Sequence, residues 1–211
     1  MSSARENILN RIFEVKEKRE QVVLEKPDFE SPIYVESDKP APERFKENLE
    51  KVGGKVYRFN DFTEAVDEIK KMSDEEKWDP LFCKDKKIQE FLKGKVPFTD
   101  AEKDFVKLKV GITPCEFLIT HLGSAMISSS GDSGRRLHIY PITHIILSHE
   151  GQLVDHLEDA INGMIKKYGE SLPSMISTIT GPSRSADIEK TLIKGMHGPK
   201  RFFVFLCHKP F

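Results

Sequence analysis

Apolar residues recur along the chain in short runs and stripes, and their spacing predicts where helices and strands lie. Residues 2–24 carry an apolar stripe at helical spacing and are predicted to form a helix. Four prolines follow before residue 43, so that stretch is expected to be a connector, with one short strand near residues 33–35. Residues 1–42 are therefore predicted to form a helix and a proline-rich connector, and residues 43–211 an α/β domain.

The N-terminal helix has two interpretations. A helix followed by a proline-rich connector need not pack on its own domain, so it could serve as an arm that joins copies of the chain in a homo-oligomer or holds a partner. Packing against its own domain explains the apolar stripe equally well, because both arrangements bury the same face. The sequence leaves this choice open.

Within the domain, helical stripes alternate with short β-type runs, which is typical of an α/β fold with a mainly parallel sheet. The predicted elements are a helix over 43–52, a strand over 55–59, a helix capped by Asn60 or Asp61, a strand near 80–83, a helix that ends at Gly94 and a long helix over 153–168. The middle third differs, because short polar loops join three strand-like runs, at 109–113, 117–120 and 124–128. That spacing predicts an antiparallel β section inserted in the sheet.

The C-terminal part of the chain carries the densest pattern. Apolar runs at 174–180 and 202–207 flank a Gly-Pro turn, an amphipathic stretch and a second turn, which predicts a parallel strand–helix–strand unit. Ser183, Arg184 and Ser185 would then lie at a helix start, where free backbone N–H groups and the helix dipole favour an anion. The two serines taken alone fit helix capping, which is their commonest role at such positions.

Two segments of this part follow a known family pattern. Thr-Gly-Pro-Ser-Arg-Ser-Ala-Asp-Ile-Glu at 180–189 and Gly-Met-His-Gly-Pro at 195–199 closely resemble the C-terminal signature of the LUD-domain family. Gly111-Ile112-Thr113 and Gly123-Ser124 extend the resemblance upstream. The resemblance implies the fold that glucosamine-6-phosphate isomerase, ribose-5-phosphate isomerase and the CoA-transferases share.

The same resemblance implies a function in lactate utilisation. The chain would be an accessory subunit in the oxidation of lactate to pyruvate, acting with iron–sulfur partner subunits. Fold analogy alone suggests an alternative, a stand-alone enzyme that acts on a phosphorylated sugar or a CoA ester.

The chain departs from the family pattern at two places. Many members have Ala-Asp after Gly-Ile-Thr, where this chain has Pro114-Cys115-Glu116, and Glu116 could stand for the acid. A later Glu-Ser/Thr-Gly-Thr turn is replaced by His-Leu-Gly-Ser, in which His121 changes both charge and hydrogen-bond direction. If that carboxylate does chemistry in the relatives, this chain is a divergent or non-catalytic member.

Three loops, 111–113, 128–136 and 180–187, are predicted to meet over the ends of parallel strands, where ligands of open α/β sheets bind. Their arginines would hold a carboxylate or phosphate. Arg135 and Arg136 also fit a solvated loop tip, and the helix dipole alone would account for Asp187. The residues predicted to bind a small anion are Gly111, Thr113, Gly123, Ser124, Arg135, Arg136, Thr180, Gly181, Ser183, Arg184, Ser185 and Asp187.

Composition narrows the range of functions. A net charge of −1 argues against a nucleic-acid binder. No apolar run approaches the ~20 residues that span a membrane, and the N-terminus lacks the apolar core of a secretion signal, so a cytoplasmic protein is expected. Three scattered cysteines without a Cys-x-x-Cys pair indicate no iron–sulfur cluster. We therefore expect no cofactor on this chain and any cluster on a partner.

Other candidate chemistry is weak. His138, His144, His149 and His156 do not predict a metal site, because His144 and His149 fall on opposite faces of a continuous strand. Cys115 and His121 could form a nucleophile and base, but no third group that would orient them is visible in the sequence.

Overall fold

A computed structural model describes residues 3–17, 34, 37–101, 105, 108–186 and 192–210 of the chain. The chain divides into two compact units, residues 1–38 and residues 39–211. The first unit contains α1 (Ala4–Glu17), which confirms a helix at the predicted N-terminal stripe. Residues 18–24 of the predicted helix lie outside the described residues, and so do Ile33 and Val35 of the predicted short strand.

In its described part, the second unit has helices α2 (Ala41–Lys51), α3 (Phe62–Glu76), α4 (Lys86–Leu92) and α5 (Leu157–Tyr168). Asp61 caps α3 as predicted, because its side chain accepts hydrogen bonds from the backbone N–H groups of Thr63 and Glu64. The last helix begins at Leu157 rather than at residue 153, because Leu153–Val154 forms a strand before it.

The main sheet confirms the predicted parallel architecture. Its six strands, all paired in parallel, are β1 (Lys55–Phe59), β12 (Arg201–Cys207), β7 (Thr143–His149), β4 (Val110–Thr113), β2 (Leu81–Cys83) and β3 (Phe98–Thr99), in that spatial order. The central strands have both faces buried, which is why they read as continuous apolar runs.

A second, four-stranded sheet contains the predicted antiparallel section. Its order is β8 (Leu153–Val154), β5 (Phe117–Ile119), β6 (Ser124–Ser128) and β9 (Ile176–Ile179). The pairs β5–β6 and β6–β9 are antiparallel, and β5–β8 is parallel. The antiparallel strands thus form a sheet of their own rather than an insertion in the main sheet, and the run at 109–113, predicted to belong to them, instead forms the parallel strand β4.

Each face of the main sheet packs on an apolar layer. Alternate residues of β12 divide between the layers: Phe203 and Phe205 pack with α3 and α4, whereas Phe202 and Val204 pack with α2 and the second sheet. The second sheet therefore lies over one face of the main sheet, and its loops reach the edges of the parallel strands.

The predicted strand–helix–strand unit at the C-terminus is wrong. Strand β9 pairs with β6 in the second sheet, so it does not lie beside β12. In place of a helix start, β10 (Arg184–Ala186) and β11 (Leu192–Lys194) pair in antiparallel, with Arg184 opposite Lys194. Only five residues, 187–191, separate β10 from β11 in the sequence. Parallel pairing would need a crossover of about a dozen residues, whereas five residues suffice for an antiparallel hairpin.

Candidate functional site

A cavity of about 540 Å³ opens at the carboxyl ends of β2, β4 and β7. Open α/β sheets usually bind ligands at this edge. The second sheet and the end of α5 close the other side. The lining residues are Asp85, Lys87, Pro114, Cys115, Glu116, Phe117, Ser128, Ser130, Gly131, Ser133, His138, His149, Gln152, Lys167 and Tyr168.

Glu116 is the centre of a hydrogen-bond cluster in this cavity. Its Oε1 accepts from Ser128 Oγ at 2.5 Å, Tyr168 Oη at 2.8 Å and Ser130 Oγ at 3.1 Å. Its Oε2 lies 2.7 Å from Lys167 Nζ. The residue precedes β5, Ser128 ends β6, and Lys167 and Tyr168 end α5, so the cluster ties three elements together.

The cluster keeps Glu116 ionised. Burial alone would raise the pKa of this carboxyl, whose side chain is only 9% exposed, but the donors Lys167, Ser128 and Tyr168 outweigh burial and lower the pKa below its usual value. The pKa of Lys167 is correspondingly raised: burial would lower it, and the bond to Glu116 outweighs that effect. A carboxylate that already accepts four donors is suited to fixing its neighbours rather than to moving protons.

Two histidines meet at Thr113 beneath the cavity. Thr113 Oγ1 lies 2.8 Å from His144 Nε2 and 3.5 Å from His138 Nδ1. All three side chains are buried, and of the three only His138 lines the cavity. Burial lowers the pKa of His138 to about 4 and that of His144 well below its usual value, so both rings are neutral near pH 7.

The structure disfavours Cys115 as a nucleophile. The thiol is buried, and burial raises its pKa, so the reactive thiolate is scarce at neutral pH. Gln152 contacts its backbone carbonyl at 2.6 Å, whereas His121 stacks against His156 with ring centroids 5.5 Å apart. Among the described residues, no group of three or more His, Cys, Asp or Glu side chains could hold a metal ion.

The upstream predicted residues lie near the cavity but do not line it. Gly111 is packed against Leu137 and Pro141, where a Cβ would come within 2.9 and 2.7 Å of their side chains. Arg135 donates to the carbonyl and hydroxyl of Ser174. The guanidinium of Arg136 lies 4.3 Å from the centroid of the Phe105 ring. Thr113 reaches the cavity only through His138.

The motif glycines at 123 and 181 hold α2 in place. Gly123, with φ +61°, leaves no room for a Cβ, which would lie 2.2 Å from the backbone nitrogen of Leu49. Gly181, with φ +78°, packs against the carbonyl of Val52. The Ser124 and Thr180 hydroxyls lie 2.6 Å apart at the opposite end of the second sheet from Ser128.

The described part of the 180–187 turn, residues 180–186, lies at the amino ends of the parallel strands rather than at their carboxyl ends. Ser183 N–H donates to the carbonyl of Pro199, just before β12, and its own carbonyl accepts from Gly195. Arg184 is exposed, Ser185 lies in β10, and Asp187 falls outside the described residues. The three predicted loops therefore do not meet. Anion binding at this turn stays a prediction, without the helix start that motivated it.

Sequence reasoning missed most of the cavity wall. Glu116 had a signal, because it follows the Gly-Ile-Thr segment of β4. His138 was considered only as a metal ligand. Lys167 and Tyr168 carried no signal, because a polar helix end is ordinarily solvated and only the fold brings this one to β6.

Comparison with known proteins settles the family. Residues 42–207 match the sequence model of the LUD domain. The chain belongs to the LUD domain family. This confirms the family that the segments at 180–189 and 195–199 predict, and it covers most of the second structural unit.

Individual relatives of this LUD-domain protein match over shorter spans. It is 37% identical over 93 residues to Lactate utilization protein C of Bacillus licheniformis, covering 43% of this chain and 38% of that protein. Lactate utilization protein C of Bacillus subtilis is 36% identical over 108 residues, covering 47% of this chain and 45% of that one. The matched region thus spans less than half the length of these relatives.

A solved structure supports the fold alone. The crystal structure of a DUF162 family protein from Deinococcus radiodurans matches with a TM-score of 0.58 at 18% identity, covering 79% of this chain and 96% of that one.

None of the helices in the described part of the chain has the length and apolar character that a membrane span requires.

Proposed function

We propose that this LUD-domain protein takes part in lactate utilisation as a subunit that binds a small anionic ligand in the cavity beside Glu116. The observation that carries the lactate part is the similarity to relatives named Lactate utilization protein C. The cavity supports a ligand-binding role, because it lies at the carboxyl edge of the parallel sheet and its wall includes Lys87 and Lys167.

The chemistry divides between this chain and its partners. Oxidation of lactate to pyruvate releases two electrons and two protons, and a redox cofactor normally accepts the electrons. The described side chains around the cavity offer ammonium, carboxylate, hydroxyl, amide, imidazole and thiol groups, which bind and orient a substrate but do not accept electrons from lactate. We therefore assign the electron transfer to iron–sulfur partner subunits, as the family resemblance implies, and ligand binding to this chain in the cytoplasm.

Deletion of the gene tests the proposed role. The deletion strain should grow normally on glucose and fail on lactate as the only carbon source, and the wild-type gene should restore growth. A Lys167→Met variant should restore growth poorly, because it removes a cavity ammonium. Normal growth of the deletion strain on lactate would refute the lactate role.

One observation favours a second candidate. A cavity of about 540 Å³ lies in the range that holds drug-sized ligands and exceeds what a three-carbon acid fills. A stand-alone enzyme acting on a phosphorylated sugar or a CoA ester would use that room. Ligands that bind the folded state raise its melting temperature by mass action, so a thermal-shift comparison of pyruvate, glucose 6-phosphate and CoA discriminates between the two candidates.

A further inference from the structure

The Glu116 cluster of the cavity wall has few hydrogen-bond donors to spare. Each hydroxyl of the Glu116 cluster has one proton, and the close contacts among Ser128, Ser130, Tyr168 and Glu116 can use all of them internally. Lys167 has three donor protons, gives one to Glu116 and is 57% exposed. A ligand in the cavity therefore finds the ammonium groups of Lys87 and Lys167, the hydroxyl of Ser133, which has no hydrogen-bond partner, and whatever His138 presents.

His138 lines this cavity and has a buried ring nitrogen without a hydrogen-bond partner. The side chain is 3% exposed, and its Nε2 has no hydrogen-bond partner. The carbonyls of Ser128 and Gly134 lie close enough to raise the pKa of the ring against the effect of burial, although neither completes a hydrogen bond with Nε2. Buried polar atoms usually have a partner, so a missing partner at the wall of a cavity points to a ligand or water.

The contacts at Thr113 decide whether that nitrogen is a donor. Thr113 has one hydroxyl proton and lies between His144 Nε2 and His138 Nδ1, so two proton arrangements let it donate to one ring and accept from the other. In the first, His144 Nε2–H donates to Thr113, and Thr113 donates to His138 Nδ1. In the second, both directions are reversed. If both rings donated to Thr113 instead, its own buried hydroxyl proton would have no acceptor among the described contacts, which makes that third arrangement unfavourable.

The two arrangements differ in what they leave unpaired. The reversed one places a proton on His144 Nδ1, which is fully buried and has no partner. The first leaves only a lone pair at that atom and puts the unpaired N–H on His138, which is a residue of the cavity wall. Orphaned buried N–H groups are rarer than under-used acceptors, so the first arrangement is favoured.

We propose that His138 presents an Nε2–H donor to the cavity, that Thr113 and His144 fix this tautomer, and that with Lys167 it binds a carboxylate next to a carbonyl or hydroxyl oxygen. Such a ligand is a 2-oxo or 2-hydroxy acid, and the choice of this class rests on the proposed function in lactate utilisation. Lys167 meets an oxygen of the carboxylate, and His138 donates to the neighbouring oxygen. Thr113 and His144 are positioning residues, because they do not line the cavity.

Nitrogen NMR of histidine side chains reads the tautomer directly. Protein labelled with ¹⁵N in its histidines, at pH 7, should show His138 protonated at Nε2, with the signal assigned by its loss in His138→Gln. Addition of pyruvate or lactate should shift that Nε2 signal, whereas inorganic phosphate and glucose 6-phosphate should not. A proton on Nδ1 of His138 in the wild type would overturn the proposal.

Thr113→Val removes the hydroxyl that sets the tautomer and leaves the cavity wall unaltered. The variant should populate both tautomers of His138 and bind pyruvate about tenfold more weakly, and Thr113→Ser should restore both properties. The proposed ligand class, a 2-oxo or 2-hydroxy acid, would be wrong in either of two cases. In the first, pyruvate and lactate leave the His138 Nε2–H signal unmoved; in the second, only inorganic phosphate or glucose 6-phosphate shifts it. If the deletion strain fails to grow on lactate but His138 of the wild-type protein carries its proton on Nδ1, this inference is refuted and the proposed function stands.

Discussion

Replacing Glu116 by glutamine tests whether its charge holds the cavity wall together. The carboxylate accepts hydrogen bonds from Ser128, Ser130, Tyr168 and Lys167. Bonds to an ionised group contribute about 1.5–3 kcal/mol and neutral ones about 0.5–1.5 kcal/mol. Because Lys167 is more than half exposed, its ion pair adds at most ~1 kcal/mol. Relief of the buried charge offsets part of the loss, so we expect a net destabilisation of about 2 kcal/mol at pH 7.

Thermal unfolding as a function of pH measures this effect. For a domain of this size, about 2 kcal/mol corresponds to a melting temperature roughly 4–8 °C lower. The folded-state pKa of Glu116 lies below its unfolded value of about 4.3, so the charge stabilises the fold above that pH. This contribution is lost as the pH falls through the folded pKa. The difference between wild type and Glu116→Gln should therefore be full at pH 7, begin to shrink as the pH falls below about 4.3, and close once the pH lies below the folded pKa.

Glu47→Gln is the matched control. Glu47 is also paired with a lysine, Lys39, but both side chains are about half exposed, so the pair is screened by solvent. The melting temperature of this variant should change much less than that of Glu116→Gln. An equal loss in both variants, or a Glu116→Gln difference that persists unchanged through the acid range, would refute the reasoning.

Three further predictions follow from the same structure. Gly123→Ala should destabilise the protein by about 3–5 kcal/mol in denaturant unfolding, because its Cβ would meet the Leu49 backbone. Gly134→Ala, with the same φ and open space, should cost only about 1–2 kcal/mol, and equal losses would refute the clash. Lys167→Met should weaken pyruvate binding about 10–100-fold in calorimetry, from about 1.5–3 kcal/mol for one charge-assisted contact, while Arg184→Ala leaves it unchanged. Weaker pyruvate binding in Arg184→Ala and unchanged binding in Lys167→Met would place the ligand at the 180–187 turn instead. The purified chain should be colourless and should oxidise lactate only with a cluster-bearing partner present, and turnover by the chain alone would contradict the accessory role.

Local patterns in the sequence determined most helices and strands. The helical stripe over 43–52 predicted α2, the apolar run at 55–59 predicted β1, and the capping residue Asp61 predicted the start of α3. These elements depend on periodicity and capping, which neighbouring residues set among themselves. The motif at 180–189 likewise identified the family, because a family signature is a property of the sequence alone.

Pairing between distant segments was beyond the reach of those patterns. The run at 174–180 could pair with either sheet, and its contacts with β6 placed β9 in the second one. Residues 184–194 carry apolar positions that fit a helix, yet the described ends of this segment, Arg184–Ala186 and Leu192–Lys194, pair as the antiparallel strands β10 and β11. Short segments take the conformation that tertiary contacts stabilise, because an isolated short helix is marginal in water.

The candidate site depended most on tertiary structure. The sequence placed Gly111–Thr113 and the 128–136 loop near the strand ends, but it also placed the 180–187 turn there and favoured Arg184 of that turn as the anion ligand. Only the order of the strands put that turn at the amino edge and brought the end of α5 to Glu116. The hydrogen bonds to Glu116 come from residues that lie between 12 and 52 positions further along the chain, so the fold decides the chemistry of the site while local sequence decides the elements that carry it.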